Sequence, residues 1–345
     1  MRVGLVGAGN MMQITHLPSL LQISDVELVA IAELDRERAE KLAAAYRIPH
    51  ICGSAGELAE YAGELDCAVV VTLKEHHAAA IIPLLEAGVP VFTEKPLAGS
   101  RADAEQIHAA SMRTGTPVMV GYMRQFDPAV QLAKKLLAEQ QIGDVRFAQF
   151  RDFGGNSQMG AATLHALPIE PQPDVTAPAS TARPSPEESL QRTLVEWFEL
   201  WVHDVNLMRH LLGDPTGVRY ASLGPPRLAV LDYATHETVL EVGKLAYANA
   251  PWDQAATIYG TTGRIELVHA PPLLFRQPSA VILHTPAGST RLDVPVREAF
   301  TEEIRYFLRC IQQGVTPTPN AAEGLADIVL CERVVAATSR LRGHT

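Results

Sequence analysis

The chain has 345 residues, more than one hydrophobic core ordinarily organises, so two domains are expected. Hydrophobic residues make up 47% and charged residues 20%, an ordinary globular balance, and a net charge of −10 argues against nonspecific nucleic-acid binding, which needs clustered Lys and Arg. No apolar run is long enough to span a bilayer, and a first strand starting at Arg2 leaves no room for a signal peptide, so the cytoplasm is the expected location.

RVGLVGA at the start is a short apolar run that turns into glycine at Gly7 and Gly9, with a helix expected through Leu20. Glu27–Leu34 reads as a second strand, Arg36–Tyr46 as a helix, and the stretch around Pro49–Ser54 as a loop. CAVVV (Cys67–Val71) is continuously apolar, as a buried parallel strand should be. The helix His76–Ala87 stops at Gly88, a glycine C-cap. Pro90–Glu94, the helix Arg101–Thr114 and Pro117–Tyr122 complete an alternation of strands and helices that predicts a doubly wound parallel sheet. The four cysteines, Cys52, Cys67, Cys310 and Cys331, have neither disulfide nor metal spacing and read as buried free thiols.

The pattern changes after Tyr122. A helix over Pro128–Glu139 precedes Gly143–Phe153, which alternates like a strand with one wet face. Residues 154–186 are poor in periodicity and carry six prolines, and a loop this long is usually a lid, a binding loop or disordered. Glu187–Leu212 places Leu190, Leu194, Phe198, Trp201, Val205, Met208 and Leu212 at three- and four-residue steps, which predicts an amphipathic helix. Strands follow over 217–294, then two helices near Glu298–Gln313 and Ala321–Ser339. The expected architecture is α/β: a Rossmann domain over 1–122 and an α+β domain over 123–345 with a mostly antiparallel open sheet.

Gly7-Ala8-Gly9-Asn10-Met11-Met12 lies between the first strand and the first helix, where a dinucleotide's pyrophosphate meets backbone N–H groups. The third fingerprint position, normally Gly or Ala, is Met12. Glu33, at the end of the second strand, is the acid expected to bind ribose hydroxyls, which favours NAD; Arg36 and Arg38 nearby keep NADP open. Lys95 follows a buried strand at its carboxyl end, where ligands of open parallel sheets bind, and Pro96 bars it from the α region. A cationic cofactor and a low-dielectric pocket would depress its pKa and suit it to general acid–base work on a hydroxyl or ketone. On an ideal helix Glu199, His203, Asn206 and His210 share one face, while Asp204 points elsewhere. The histidines form no metal-binding pattern, and no metal is expected.

EAGVPVFTEKPLA resembles the signature of the glucose–fructose oxidoreductase / inositol dehydrogenase / MocA family, and TLKEHHAAAI, GYMRQFDPA, HDVNLMRHLLG and GTTGRIELV resemble further segments of it. The resemblance covers nearly the whole chain, with the proline-rich loop as the main exception. It implies that Glu94, Lys95 and Pro96 sit beside the nicotinamide, that Thr72 and His77 touch the cofactor, and that His203 orients or relays a proton. Where polyol-oxidising members carry Asp, this chain has Glu199 and Asn206; Glu199 is left as a candidate catalytic carboxylate and Asn206 as a ligand for a sugar hydroxyl. Arg124 either reaches the cofactor or an acidic substrate, or makes a structural ion pair with Asp127 or Asp152. The implied activity is NAD(P)-dependent interconversion of a secondary alcohol and a ketone on a sugar, cyclitol or glycoside, by a homodimer or homotetramer. Two alternatives remain: tightly bound NAD used transiently in elimination, hydrolysis or epimerisation, and a dinucleotide-binding sensor that has lost the family's aspartates.

Overall fold

The structure, a computed structural model, describes residues 1–155, 186–222, 224, 226–245 and 252–342. Six strands form the first sheet: β1 (Arg2–Val6), β2 (Glu27–Ala32), β3 (His50–Cys52), β4 (Cys67–Val70), β5 (Val91–Glu94) and β6 (Val118–Gly121). They are all parallel, in the order β3-β2-β1-β4-β5-β6. That order reverses direction beside β1, so a crevice opens at the carboxyl ends of β1 and β4. Every residue of β4, β5 and β6 is buried, which is why β4 and β6 read as unbroken apolar runs, while β5 ends on the buried polar pair Thr93 and Glu94. The loop expected around Pro49–Ser54 instead contains β3, a three-residue edge strand paired only with β2 and too short to announce itself.

The first helical segment, residues 10–21, contains a wide π-turn over Met12–His16 before α1 (Leu17–Leu21). On the two faces of the sheet lie α2 (Arg36–Tyr46), α3 (Ala55–Ala59), α4 (His77–Glu86) and α5 (Arg101–Thr114). Three of them start at a side-chain cap, Asp35 on Arg38 N–H, Ser54 on Glu57 N–H and Ser100 on Asp103 N–H.

A short 3₁₀ turn, Met123–Phe126, leads into α6 (Pro128–Ala138). The second sheet has eight strands: β7 (Val145–Gly154), β8 (Gly217–Ser222), β9 (Arg227–Asp232), β10 (Glu237–Lys244), β11 (Asp253–Gly260), β12 (Arg264–Val268), β13 (Ala280–Thr285) and β14 (Gly288–Leu292). Their order is β14-β13-β12-β11-β7-β10-β9-β8, and β7–β10 is this second sheet's one parallel pair among the described residues. The expected helix over Glu187–Leu212 is α7 (Pro186–Glu196) and α8 (Val202–Leu212) joined by a second π-turn, Trp197–Trp201. That turn buries Trp197, Phe198 and Trp201 and shifts the helical phase of α8 relative to α7. Alternate β7 residues Ala148, Phe150 and Asp152 face the covering helices.

Finally α9 (Ala299–Gln313) packs on residues 10–21 and 123–126, and α10 (Ala321–Arg342) on α5 and β8. The chain's end therefore ties the two sheets together. All four cysteines are free and buried. Among the described residues no helix is long and apolar enough to cross a membrane. The central proline-rich segment, 156–185, lies outside the described residues.

Candidate active site

The glycine loop is built for close approach. Gly7 has φ of +88°, and a Cβ there would sit 2.2 Å from the Val71 carbonyl oxygen, so only glycine fits. Gly9 is the opposite case: a Cβ would meet nothing within 4 Å, which leaves open space above the loop. The N–H groups of the first helical turn, Asn10, Met11 and Met12, have no intrahelical acceptors and offer themselves to an anion. The loop is braced from both sides, by Gln13 Nε2 donating to Ala8 O at 2.7 Å and Ala8 N–H donating to Glu33 Oε2 at 2.7 Å. Glu33 also accepts from Asp35 N–H at 3.0 Å, so its carboxylate stands at the loop's edge with lone pairs to spare for ribose hydroxyls. Arg36 is paired with Glu40 and Arg38 with Asp35. A glycine cradle, free helix N–H groups and a strand-end acid together fit a dinucleotide.

At the end of β5, Lys95 reaches across the crevice and donates from Nζ to the backbone carbonyl of Glu199 at 2.6 Å. Burial pushes the Lys95 ammonium below its ordinary range, and Lys74 adds to this, while Glu94 and Glu199 oppose it. The Glu199 carboxylate turns instead to Lys74, 2.5 Å away, which also holds Glu75 at 2.8 Å. His203 is neutral near pH 7, because burial and the charges of Lys95 and Arg124 hold it well below the usual histidine range. Its Nδ1 is buried without a partner, and its ring meets Tyr122 edge-on at 6.2 Å. The crevice thus joins Lys95, Lys74, Glu199 and His203.

Several residues singled out in the sequence do not present their side chains to that crevice. Met12 is fully buried in the core, so only its backbone faces the loop. Glu94 turns inward to His16 Nε2 at 2.7 Å and accepts Lys95 N–H at 3.0 Å. His77, 1% exposed, lies with Nδ1 3.0 Å from Pro96 O and Nε2 3.3 Å from Thr72 O, so it ties two loops together. Thr72 itself stays half-buried at the crevice, its hydroxyl on Leu73 O at 3.3 Å. Asn206 is buried, donating to Asp327 at 2.8 Å and accepting from Gln125 at 2.7 Å, so its amide is already engaged. Arg124 is 5% exposed and donates to Ala270 O at 3.0 Å; it makes no direct ion pair with Asp127 or Asp152, although both carboxylates act on it electrostatically.

Other residues at the site gave no local signal. Lys74 lies in TLKEHHAAAI, but its partner is 125 positions away. Asp204 does point away from the Glu199 face, as expected, and its carboxylate accepts from Gln254 at 2.7 Å on β11. Burial and the adjacent Asp204 push the Asp152 carboxyl up, so it keeps its proton at neutral pH and the pair carries less than its formal charge.

Comparison with known proteins agrees with this geometry. Residues 1–122 match the model of an oxidoreductase family with an NAD-binding Rossmann fold, the glucose–fructose oxidoreductase / inositol dehydrogenase / MocA group. The chain is 26% identical to an inositol 2-dehydrogenase of Rhizobium meliloti, over 99% of this chain and 98% of that protein. An oxidoreductase of Agrobacterium radiobacter, solved with NAD⁺, L-tartaric acid and magnesium, has the same fold, with TM-score 0.77 at 19% identity over 98% of this chain and 96% of that one. A variant of a 3-ketoreductase of Actinomadura kijaniata, solved with NADP and TDP-benzene, superposes with TM-score 0.73 at 18% identity over 98% and 97%. The glycine cradle at β1 and the lysine at the end of β5 thus lie in the segment, residues 1–122, that matches the glucose–fructose oxidoreductase / inositol dehydrogenase / MocA family of oxidoreductases, and the likeness to the inositol 2-dehydrogenase runs through the rest of the chain.

Proposed function

We propose that this enzyme interconverts a secondary alcohol and a ketone on a sugar, cyclitol or glycoside, with Lys95 moving the proton. The observation that carries the reading is the position of Lys95: its amine stands in the crevice 2.6 Å from the Glu199 carbonyl, with its pKa depressed by burial. The cofactor, when bound, accepts or gives the hydride. Gly7, Gly9 and the N–H groups of residues 10–12 would hold its pyrophosphate and Glu33 its ribose. Leu34 and Leu73, 85% and 68% exposed at the ends of β2 and β4, supply apolar surface for its base.

In the oxidative direction, neutral Lys95 takes the hydroxyl proton as the carbinol carbon gives up its hydride. In the reductive direction, the ammonium returns that proton to the carbonyl oxygen. The Glu199 carbonyl aims Nζ, and Lys74 holds the Glu199 carboxylate aside. Neutral His203 supports the reacting oxygen by hydrogen bonding rather than by charge. The inositol dehydrogenase likeness supports a polyhydroxylated ring as substrate. The open face of the second sheet carries Phe147 and Tyr259, rings 5.9 Å apart, and Val268, each more than a third exposed; we read it as the surface on which homodimers or tetramers form.

The test is nicotinamide absorbance with NAD or NADP and a panel of sugars, cyclitols and glycosides, wild type beside Lys95→Met. Reduced cofactor from wild type alone supports the reading, and equal rates in both remove Lys95 from the proton path.

A further inference from the structure

Beneath the end of β5, three titratable side chains, His16, Glu94 and Glu303, are closed off from water. His16 is fully buried, its ring 5.4 Å from Phe92 and edge-on to Phe300 at 5.9 Å. Its Nε2 meets Glu94 Oε1 at 2.7 Å, while its Nδ1 has no partner. The other Glu94 oxygen accepts Lys95 N–H at 3.0 Å. Opposite them, α9 presents Phe300, Glu303 and Phe307 on one face at helical spacing, with Phe300 against His16 and Phe307 against Phe92 at 5.8 Å. Glu303 stands between these two contacts, 0% exposed, and neither of its oxygens has a hydrogen-bond partner.

An unpartnered carboxylate at such a place is too costly to keep ionised, so Glu303 carries its proton. The charged or titratable groups brought to α9 by the elements packed on it are His16, Glu94 and Arg124, and of these the Glu94 charge adds to burial in raising Glu303. One buried O–H therefore lacks an acceptor next to one buried ring nitrogen that lacks a partner.

We propose that Glu303 is a positioning residue for Lys95: its O–H donates to His16 Nδ1 through one buried water, His16 Nε2–H donates to Glu94, and Glu94 grips the Lys95 N–H. The chain satisfies His16 Nδ1 and one of the two Glu303 oxygens and leaves one negative charge, on Glu94, directly under Lys95. No proton leaves it. That fixed charge counteracts burial at the Lys95 amine, so the cluster sets the pH at which the amine changes form.

The hydrogen-bonded chain does not depend on Lys95 being the proton carrier, and the test separates the two. Infrared spectra of wild type at neutral pH should show, beside the band of protonated Asp152, a second carbonyl stretch of a buried protonated acid that is lost in Glu303→Gln. Nitrogen-15 NMR of histidine-labelled protein should place the His16 proton on Nε2. The Nδ1 resonance should move toward that of a bare lone pair in Glu303→Leu and stay at the wild-type position in Glu303→Gln, whose amide still donates. Absence of that second band, or a His16 Nδ1 indifferent to Glu303→Leu, overturns the proposal whatever the enzyme turns over. With a substrate in hand, the Lys95 limb of the kcat profile should shift in Glu303→Leu and return in Glu303→Gln. Spectroscopic success without any turnover would instead count against the proposed reaction.

Discussion

The glycine loop and the helix bearing Glu199 and His203 face the same crevice but are built differently. In the loop the proposed binding groups are backbone groups, so residue type follows from backbone geometry: Gly7 is dictated by a positive φ and by Val71 O, while a side chain at Gly9 would clash with nothing and only fill the space above the loop. In the helix the proposed groups are side chains, and a π-turn over 197–201 sets the helical phase on which they stand. Glu199 is turned to Lys74 and Asn206 is drawn into a buried network with Asp327. Local spacing therefore describes the first region well and the second only in part.

The sharpest probe lies between the two. Lys95→Met should lower kcat by ~10²–10⁴-fold, the usual worth of a general acid–base, while cofactor affinity by fluorescence titration stays nearly constant. An equal fall in cofactor affinity would make Lys95 a binding group.

Within the loop, Gly7→Ala should lose ~1–3 kcal/mol or more in urea unfolding, from backbone strain and the clash with Val71 O. Gly9→Val should leave stability within ~0.5 kcal/mol and weaken NADH binding. Equal stability losses at both glycines would show that the loop is only a turn.

In the helix, Asn206→Leu should destabilise by ~1–3 kcal/mol by stripping Asp327 and Gln125 of a buried partner. A raised KM at unchanged stability would restore Asn206 as a substrate ligand.

Asp127 tests the join between the regions. Burial raises its carboxyl, but His269 at 3.9 Å, Ser279 and Arg124 outweigh this and bring it to about 2. Because that value lies below the unfolded one, the stabilisation is full above about pH 4 and lost as pH falls through 2. Between those values wild type should lose about 2 kcal/mol more than Asp127→Asn in denaturant titrations. Parallel losses would show that other groups govern acid unfolding.

Glu199→Gln should have the smallest effect, under ~1 kcal/mol in kcat/KM, since the half-exposed carboxylate only pairs with Lys74 and the carbonyl holding Lys95 is unchanged. A fall as large as that of Lys95→Met would make the carboxylate catalytic and erase the contrast between loop and helix.

Much of the molecule was legible because its signals are local. β4 and β5 are buried on both faces, so their residues are mostly apolar, and Ser100 and Gly115 mark the two ends of α5. β3 was not legible, since three residues at a sheet edge have no period. Neither π-turn leaves a mark in composition, yet the second shifts the helical phase of α8 relative to α7. Lys74 was passed over because the carboxylate that makes it part of the site is on another element.

By itself, then, the sequence determined the parallel sheet, the glycine cradle, the strand-end Glu33 and the lysine position at the end of β5, because each follows from residue type and nearest neighbours. Tertiary structure alone decided which groups share a charge: Glu199 with Lys74, Asp152 with Asp204, and Glu94 with His16 and Glu303. The reason is physical. Backbone conformation is settled within a few residues, whereas the protonation of a buried side chain depends on burial and on charges brought in from distant parts of the chain.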